Sequence, residues 1–179
     1  VAEIHALAGG PVLDVGCGPG GLAWALAQRL GASAVAAVDP SEPFVAACRA
    51  RVPGADVRVG TAEALPFPDR TFAAVLSQLV LPFLADPARA AGEMARVARP
   101  GAVVAACSFE ANGFALARTF WDAALRFDPA APDDARRPLR RAPELADLWK
   151  RAGLLEVRTS ELEVEADYDG FEDFWSPFE

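Results

Sequence analysis

Residues 16–21 read Gly-Cys-Gly-Pro-Gly-Gly and satisfy the spacing Gly-x-Gly-x-x-Gly through Gly16, Gly18 and Gly21. Glycine adopts backbone angles that a Cβ forbids and lets a ligand approach the main chain. A helix that follows such a loop presents N–H groups to an anion. Four glycines and a proline in six positions exceed what a plain strand-to-helix turn needs, so a bound group is the better reading. Two carboxylates frame the loop. Asp39 ends the next strand, where a carboxylate accepts two hydrogen bonds from a ribose diol; that suits a dinucleotide and any other adenosine cofactor equally. Asp14 stands two positions before Gly16. A carboxylate there is awkward beside a pyrophosphate but suits the ammonium of a methionine moiety. It also suits bracing the loop by accepting backbone N–H groups.

Other chemistry is poorly represented. His5 is the sole histidine and lies on an expected N-terminal helix ahead of the core, as a surface or packing residue. Cys17, Cys48 and Cys107 are far apart and form no Cys-x-x-Cys, which excludes a structural zinc site. Sparse, unpaired cysteines fit a reducing, cytoplasmic setting. Cys17 reads as a small loop residue; Cys107 and Ser108 read as packing residues near a strand end. No general base stands out. Tyr168 and Lys150 are the only tyrosine and lysine, and they lack the spacing of an oxidoreductase's catalytic pair.

The elements that must position these residues alternate between buried strands and helical patterns, which implies a parallel sheet with helices on its faces. Strands are expected over Pro11–Val15, Ala34–Val38, Asp56–Val59, Phe72–Ser77 and Ala102–Phe109. Helices are expected over Leu22–Leu30, from an N-cap at Ser41 to about Val52, and over Asp86–Ala98. Residues 110–142 read as a substrate-side insertion, with a helix over 114–127 and a Pro/Asp/Arg-rich stretch. A helix over Pro143–Ala152 follows. The alternation of Leu155, Val157, Leu162 and Val164 then predicts one or two further strands over 154–160 and 161–166.

A chain of 179 residues, 53% hydrophobic and 23% charged, fits one globular domain over 1–179. It opens on Val1 without a methionine and stops at Glu179 straight after an aromatic cluster, so a domain trimmed at both ends is expected. No signal-peptide pattern is visible, and no apolar run reaches the roughly 20 residues that span a bilayer. The formal net charge of −8 opposes nucleic-acid binding. Arg136, Arg137, Arg140 and Arg141 form the only dense basic cluster, and with Asp133 and Asp134 beside it the cluster reads as a solvated loop. Neither nucleic acid nor a membrane is an expected partner, and the sequence does not fix the oligomeric state.

Taken in order, several segments resemble the class I S-adenosylmethionine-dependent methyltransferases. Val12-Leu13-Asp14-Val15-Gly16-Cys17-Gly18-Pro19-Gly20 looks like their first motif, and Ala37-Val38-Asp39-Pro40-Ser41 like their second-strand motif. Gly60 to Asp69, Phe72 to Ser77 and Arg99 to Ala102 continue the match. The resemblance covers about residues 10–109, and more loosely 143–166, and points to the subgroup that contains quinone-biosynthesis and other small-molecule methyltransferases.

That resemblance implies a Rossmann-like three-layer α/β fold with a seven-stranded, mostly parallel sheet whose last strand is antiparallel. It implies S-adenosyl-L-methionine as cofactor, held by Asp14, Gly16, Cys17, Gly18, Gly20, Asp39, Pro40 and Ser41. Thr61 and Ala62 would flank the adenine. An acidic residue is common in the family at the place of Thr61, so here the Ala62 backbone or Glu63 is the alternative contact, with Leu65 lining the pocket. Gln78 is the polar candidate facing cofactor and acceptor. Phe83, Phe109, Phe120, Trp121 and Trp149 would wall the acceptor side, and Tyr168, Phe171, Phe174, Trp175 and Phe178 would form a lid; ordinary core packing is the competing reading for each aromatic. The expected function is methyl transfer to a small molecule. The rivals are a non-catalytic cofactor-binding relative and an NAD(P)-dependent oxidoreductase.

Overall fold

The computed structural model describes residues 9–113 and 115–176; His5 and Phe178 lie outside the described residues. Five strands, β1 (Val12–Val15), β2 (Val35–Asp39), β3 (Asp56–Val59), β4 (Phe72–Gln78) and β5 (Ala98–Cys107), form one sheet in the order β3-β2-β1-β4-β5. Every pairing is parallel. β1 is central, with Asp14 in register between Ala37 of β2 and Leu76 of β4. All four of its residues are buried, as expected of a strand covered on both faces.

Side-chain alternation along β1 divides the core in two. Val12 joins Val35, Ala37, Val57 and Ala74 beneath the helices α1 (Gly21–Leu30) and α2 (Glu42–Arg51). Leu13 and Val15 turn to the opposite face, where α3 (Pro87–Val97) and α5 (Ala142–Arg151) contribute Ala90, Met94, Leu148 and Trp149. Trp149 is therefore core, and not a wall of an acceptor site. Local chemistry starts the helices. Ser41 caps α2, its Oγ accepting from the Phe44 N–H at 3.5 Å, and Asp86 caps α3 by accepting from the Arg89 N–H at 2.9 Å. Between β5 and α5 lies α4 (Ala115–Phe127). Arg118 ties it to the following loop through Asp133 at 2.9 Å.

The expected seven-stranded sheet with an antiparallel last strand does not form among the described residues. β5 is the edge strand, and 154–166 carries no strand. Leu155, Leu162 and Val164 are 88%, 87% and 77% exposed. Alternation can give a strand one apolar face, but a strand persists only where a neighbour takes its N–H and C=O groups, and an isolated hairpin is marginal in water. The short helix α6 (Phe171–Trp175) follows; its Phe171 and Trp175 rings stack at 5.7 Å and remain 67% and 41% exposed.

The 61–69 segment has no regular structure of its own, and α3 holds it. Arg96 donates to the carbonyls of Phe67 at 2.9 Å and Leu65 at 3.1 Å, and pairs with Asp69 at 2.7 Å and Glu93 at 2.7 Å. Glu93 in turn accepts the Leu65 N–H at 2.8 Å. Arg96→Ala should lower stability by about 1–3 kcal/mol, the usual size for lost charge-assisted hydrogen bonds. Hydrogen exchange should then quicken in 61–69 while β1 stays protected; a uniform loss of protection would show that Arg96 does not hold this segment in particular.

Candidate functional site

Because every strand is parallel, the turns after β1, β2, β3 and β4 all emerge at one edge of the sheet, the usual place for a site in this architecture. Gly16, Gly18 and Gly20 have φ of 74°, 52° and 89°, in the left-handed region that disfavours other residues. Two of them are also pressed from the side. A Cβ at Gly16 would collide with Val80, and one at Gly20 would meet Cys48 Sγ at 2.8 Å and its Cα at 3.1 Å. At Gly18 nothing lies within 4 Å, so that glycine faces open space.

The loop's amides do not face a ligand. Gly16 and Cys17 donate to the Val38 carbonyl at 2.8 and 3.0 Å, and Gly20 donates to the Cys17 carbonyl at 3.0 Å. Gly18 donates to Asp39 Oδ2 at 2.9 Å. Pro19 has no N–H, so every amide donor of 16–20 is spent inside the protein. The loop's own amides therefore form no phosphate cradle.

The carboxylates point the same way. Asp39 is only 7% exposed, and its Oδ1 accepts the Ser41 N–H at 2.9 Å. Each oxygen keeps a lone pair for a further donor. Asp14 is 1% exposed on the face of β1 that meets α1, and neither of its oxygens has a hydrogen-bond partner. It does not brace the loop. Burial pushes its pKa up to about 7; the nearby Ala23 amide favours the ionised form without reaching hydrogen-bonding geometry, and Asp39 adds repulsion. A buried carboxyl left unsatisfied at the end of a central strand calls for a functional explanation.

The remaining expected residues divide. Ser77 donates to the Val15 carbonyl at 3.0 Å and locks β4 to β1 below the loop. The Gly60 N–H reaches the Asp39 carbonyl at 3.1 Å, which brings Thr61 and the buried Ala62 to the end of β2. Glu63 turns toward α3, where its Oε1 accepts the Asp86 N–H at 3.5 Å and its carbonyl accepts from Arg89 at 2.8 Å. Pro40 and Gln78 are exposed. Leu79 follows Gln78 with φ of 60°, a strained conformation held by its N–H donating to the Cys107 carbonyl at 3.0 Å. Cys17 is buried, and desolvation pushes its thiol up, away from nucleophilic use. Sequence reasoning missed Val80 against Gly16 and Cys48 against Gly20, since neither contact has a local signature.

A model of the methyltransferase domain family matches residues 13–106, more than half of the chain. A probable S-adenosylmethionine-dependent methyltransferase of Mycolicibacterium smegmatis is 40% identical over 99 residues, 55% of this chain and 38% of that protein. A ubiquinone/menaquinone biosynthesis C-methyltransferase of Geobacter sulfurreducens is 37% identical over 100 residues, 52% of this chain and 39% of that one. The chain spans about two fifths of the length of these curated relatives. Among solved structures, a SAM-dependent methyltransferase of Thermotoga maritima, described as a possible histamine N-methyltransferase, superposes with a TM-score of 0.64 at 25% identity. That match covers 84% of this chain and 72% of that one.

The Asp14 carboxyl titrates near 7 in the fold against 3.8 as a free side chain, so between those values the folded state holds the extra proton. Its effect on stability is absent at pH 3.8 and grows more unfavourable as the pH rises to 7, on the order of 4 kcal/mol at full ionisation. Asp14→Asn should therefore gain stability over the parent as pH climbs from 4 to 7, with the difference level above that. Denaturant unfolding across this pH range checks it, and a difference independent of pH would refute it.

Proposed function

The chain belongs to the class I S-adenosylmethionine-dependent methyltransferases, and from that premise we propose that it passes the methyl group of S-adenosyl-L-methionine to a small-molecule acceptor. The carrying observation is the unpartnered, buried Asp14 carboxylate beside a loop whose amide donors are all spent. Such a site repels a pyrophosphate and attracts a cation. It supports the cofactor of this family over a dinucleotide, because the amino-acid end of the cofactor carries an ammonium.

In this reading Asp14 faces that ammonium across the open space at Gly18, and Cys17 and Gly20 shape the wall. The two Asp39 oxygens accept from the ribose hydroxyls while the Gly18 and Ser41 amides hold them in place. Pro40, Ser41, Thr61 and Ala62 line the adenine, with the Ala62 main chain making the polar contact, since Glu63 is occupied at α3. The cofactor supplies a methyl group already activated on a sulfonium, so the protein's part is alignment and exclusion of water. Gln78, exposed at the end of β4, orients the acceptor, and Phe83 and Phe109 shield it. All three cysteines are free thiols, which supports a reducing, cytoplasmic setting. The acidic charge of the chain supports a small acceptor over a nucleic acid.

Calorimetry should give a dissociation constant of about 1–100 μM for S-adenosylmethionine. Asp39→Ala should weaken binding about tenfold or more by removing both ribose acceptors. No binding by the parent protein, or tight NADH binding in its place, would overturn the proposal.

A further inference from the structure

Asp14 has no hydrogen-bond partner although the amides of Gly16, Cys17, Gly18 and Gly20 all lie within a few residues of it. A bond from an amide to a carboxylate is roughly twice as strong as one to a neutral acceptor. Yet Gly16, the nearest of the four in the chain, shares the single Val38 carbonyl with Cys17. Glycine is the residue freest to turn, so its conformation must be held from outside.

Val80 holds it. The space that a Cβ on Gly16 would take is filled by this side chain: a carbon placed there would collide with Val80 Cγ2 and lie 2.9 Å from Cγ1 and 3.2 Å from Cβ. A β-branched side chain is stiff at χ1 and does not fold aside. Its own backbone is fixed. Leu79 has φ of 60°, a conformation that bulky residues rarely adopt, and its N–H is fastened to the Cys107 carbonyl at 3.0 Å. The Val80 carbonyl accepts the Phe83 N–H at 2.9 Å, and Ser77 ties β4 to the Val15 carbonyl at 3.0 Å. The end of β4 is thus anchored on β1 and on β5, and Val80 is the side chain it presses against the glycine loop.

We infer that Val80 is a positioning residue for the methyl donor: it holds Gly16 in the conformation that turns its amide to Val38, and so keeps the Asp14 carboxylate open to the ammonium of the cofactor. This rests on the reading proposed above, in which Asp14 meets that ammonium. The ionisable side chains coupled to Asp14 are Asp39 on β2, Cys17 in the loop and Cys48 on α2, all of them acids. None supplies the opposite charge, so a loop amide that reached the carboxylate would compete with the cofactor.

The test follows the Asp14 carboxyl by carbon-13 NMR in protein carrying labelled aspartate, its signal assigned by its loss in Asp14→Asn. In the parent protein without cofactor it should titrate near 7. In Val80→Ala the Gly16 amide is free to turn, and the titration should fall below about 6, because a hydrogen bond to the ionised form favours that form. Calorimetry at about pH 8, where the carboxyl is ionised in both proteins, should show S-adenosylhomocysteine bound about fivefold more weakly by Val80→Ala; this ligand has the same amino-acid end as the cofactor. Val80→Ile keeps the branch and should match the parent in both measurements. Val80 is half-buried, so the alanine variant keeps its fold, which a melting curve checks. An Asp14 titration unmoved by Val80→Ala overturns the inference even where binding weakens, since Val80 would then be a plain wall of the site. A lowered titration with undiminished binding overturns it as well. A parent protein that binds no S-adenosylhomocysteine overturns the functional reading instead, and the titration then decides the hold of Val80 on Gly16 by itself.

Discussion

A carboxylate with no hydrogen-bond partner is buried at the end of the central strand, and much of the site follows from it. Asp14 lies under α1 with the Ala23 amide and the Asp39 carboxylate nearby, and ionising it there is unfavourable. Loop amides would relieve it readily, since Gly16, Cys17, Gly18 and Gly20 are all within a few residues. They turn elsewhere, to Val38, Asp39 and Cys17. The positive φ angles make that diversion possible. Asp14 is thus left without a hydrogen-bond partner, and in the proposed reading a cation restores its charge balance. Stability is lost for the sake of a binding group, as is common at functional sites.

The parallel sheet turns this local arrangement into a site. It delivers the ends of β1, β2, β3 and β4 to the same edge. Cross-links then fix them relative to one another: Ser77 to Val15, Gly60 to Asp39, and Arg96 to the 61–69 segment. In the proposed reading the donor side lies over β1 to β3, where Asp14, Asp39 and the backbone-bonded glycine loop meet. The acceptor side of that reading lies beyond β4 and β5. It carries the exposed rings of Phe83 and Phe109.

Much of the donor side was legible in the sequence because its signals are local. Glycines at 16, 18 and 20 encode left-handed backbone, and buried apolar runs encode strands covered on both faces. Asp14 and Asp39 could be singled out by their distance from the loop. What could not be read was their opposite treatment, with Asp39 braced by two amides and Asp14 by none, because the path of the loop decides it. Arg140 was misread for a similar reason: Arg136, Arg137, Arg140 and Arg141 look equally solvated in sequence, and the first, second and fourth are exposed, yet packing buries Arg140. The alternation over 154–166 promised strands, and none forms among the described residues, since β5 takes no partner on its outer edge.

The sequence by itself therefore determined the glycine loop, the order of five strands and three helices, and the two acidic residues that frame the loop. Each of these is written within a window of ten or so residues, where backbone sterics and hydrophobic period speak directly. Tertiary structure alone decided which amides are spent, which carboxylate stays unpaired, which arginine is buried and how many strands join the sheet. Those outcomes depend on partners such as Val38, Cys48, Val80 and Phe83 that lie far from the residues they act on in the chain. The glycine loop remains the legible signature of the molecule; the empty coordination of Asp14 beside it is what the fold added.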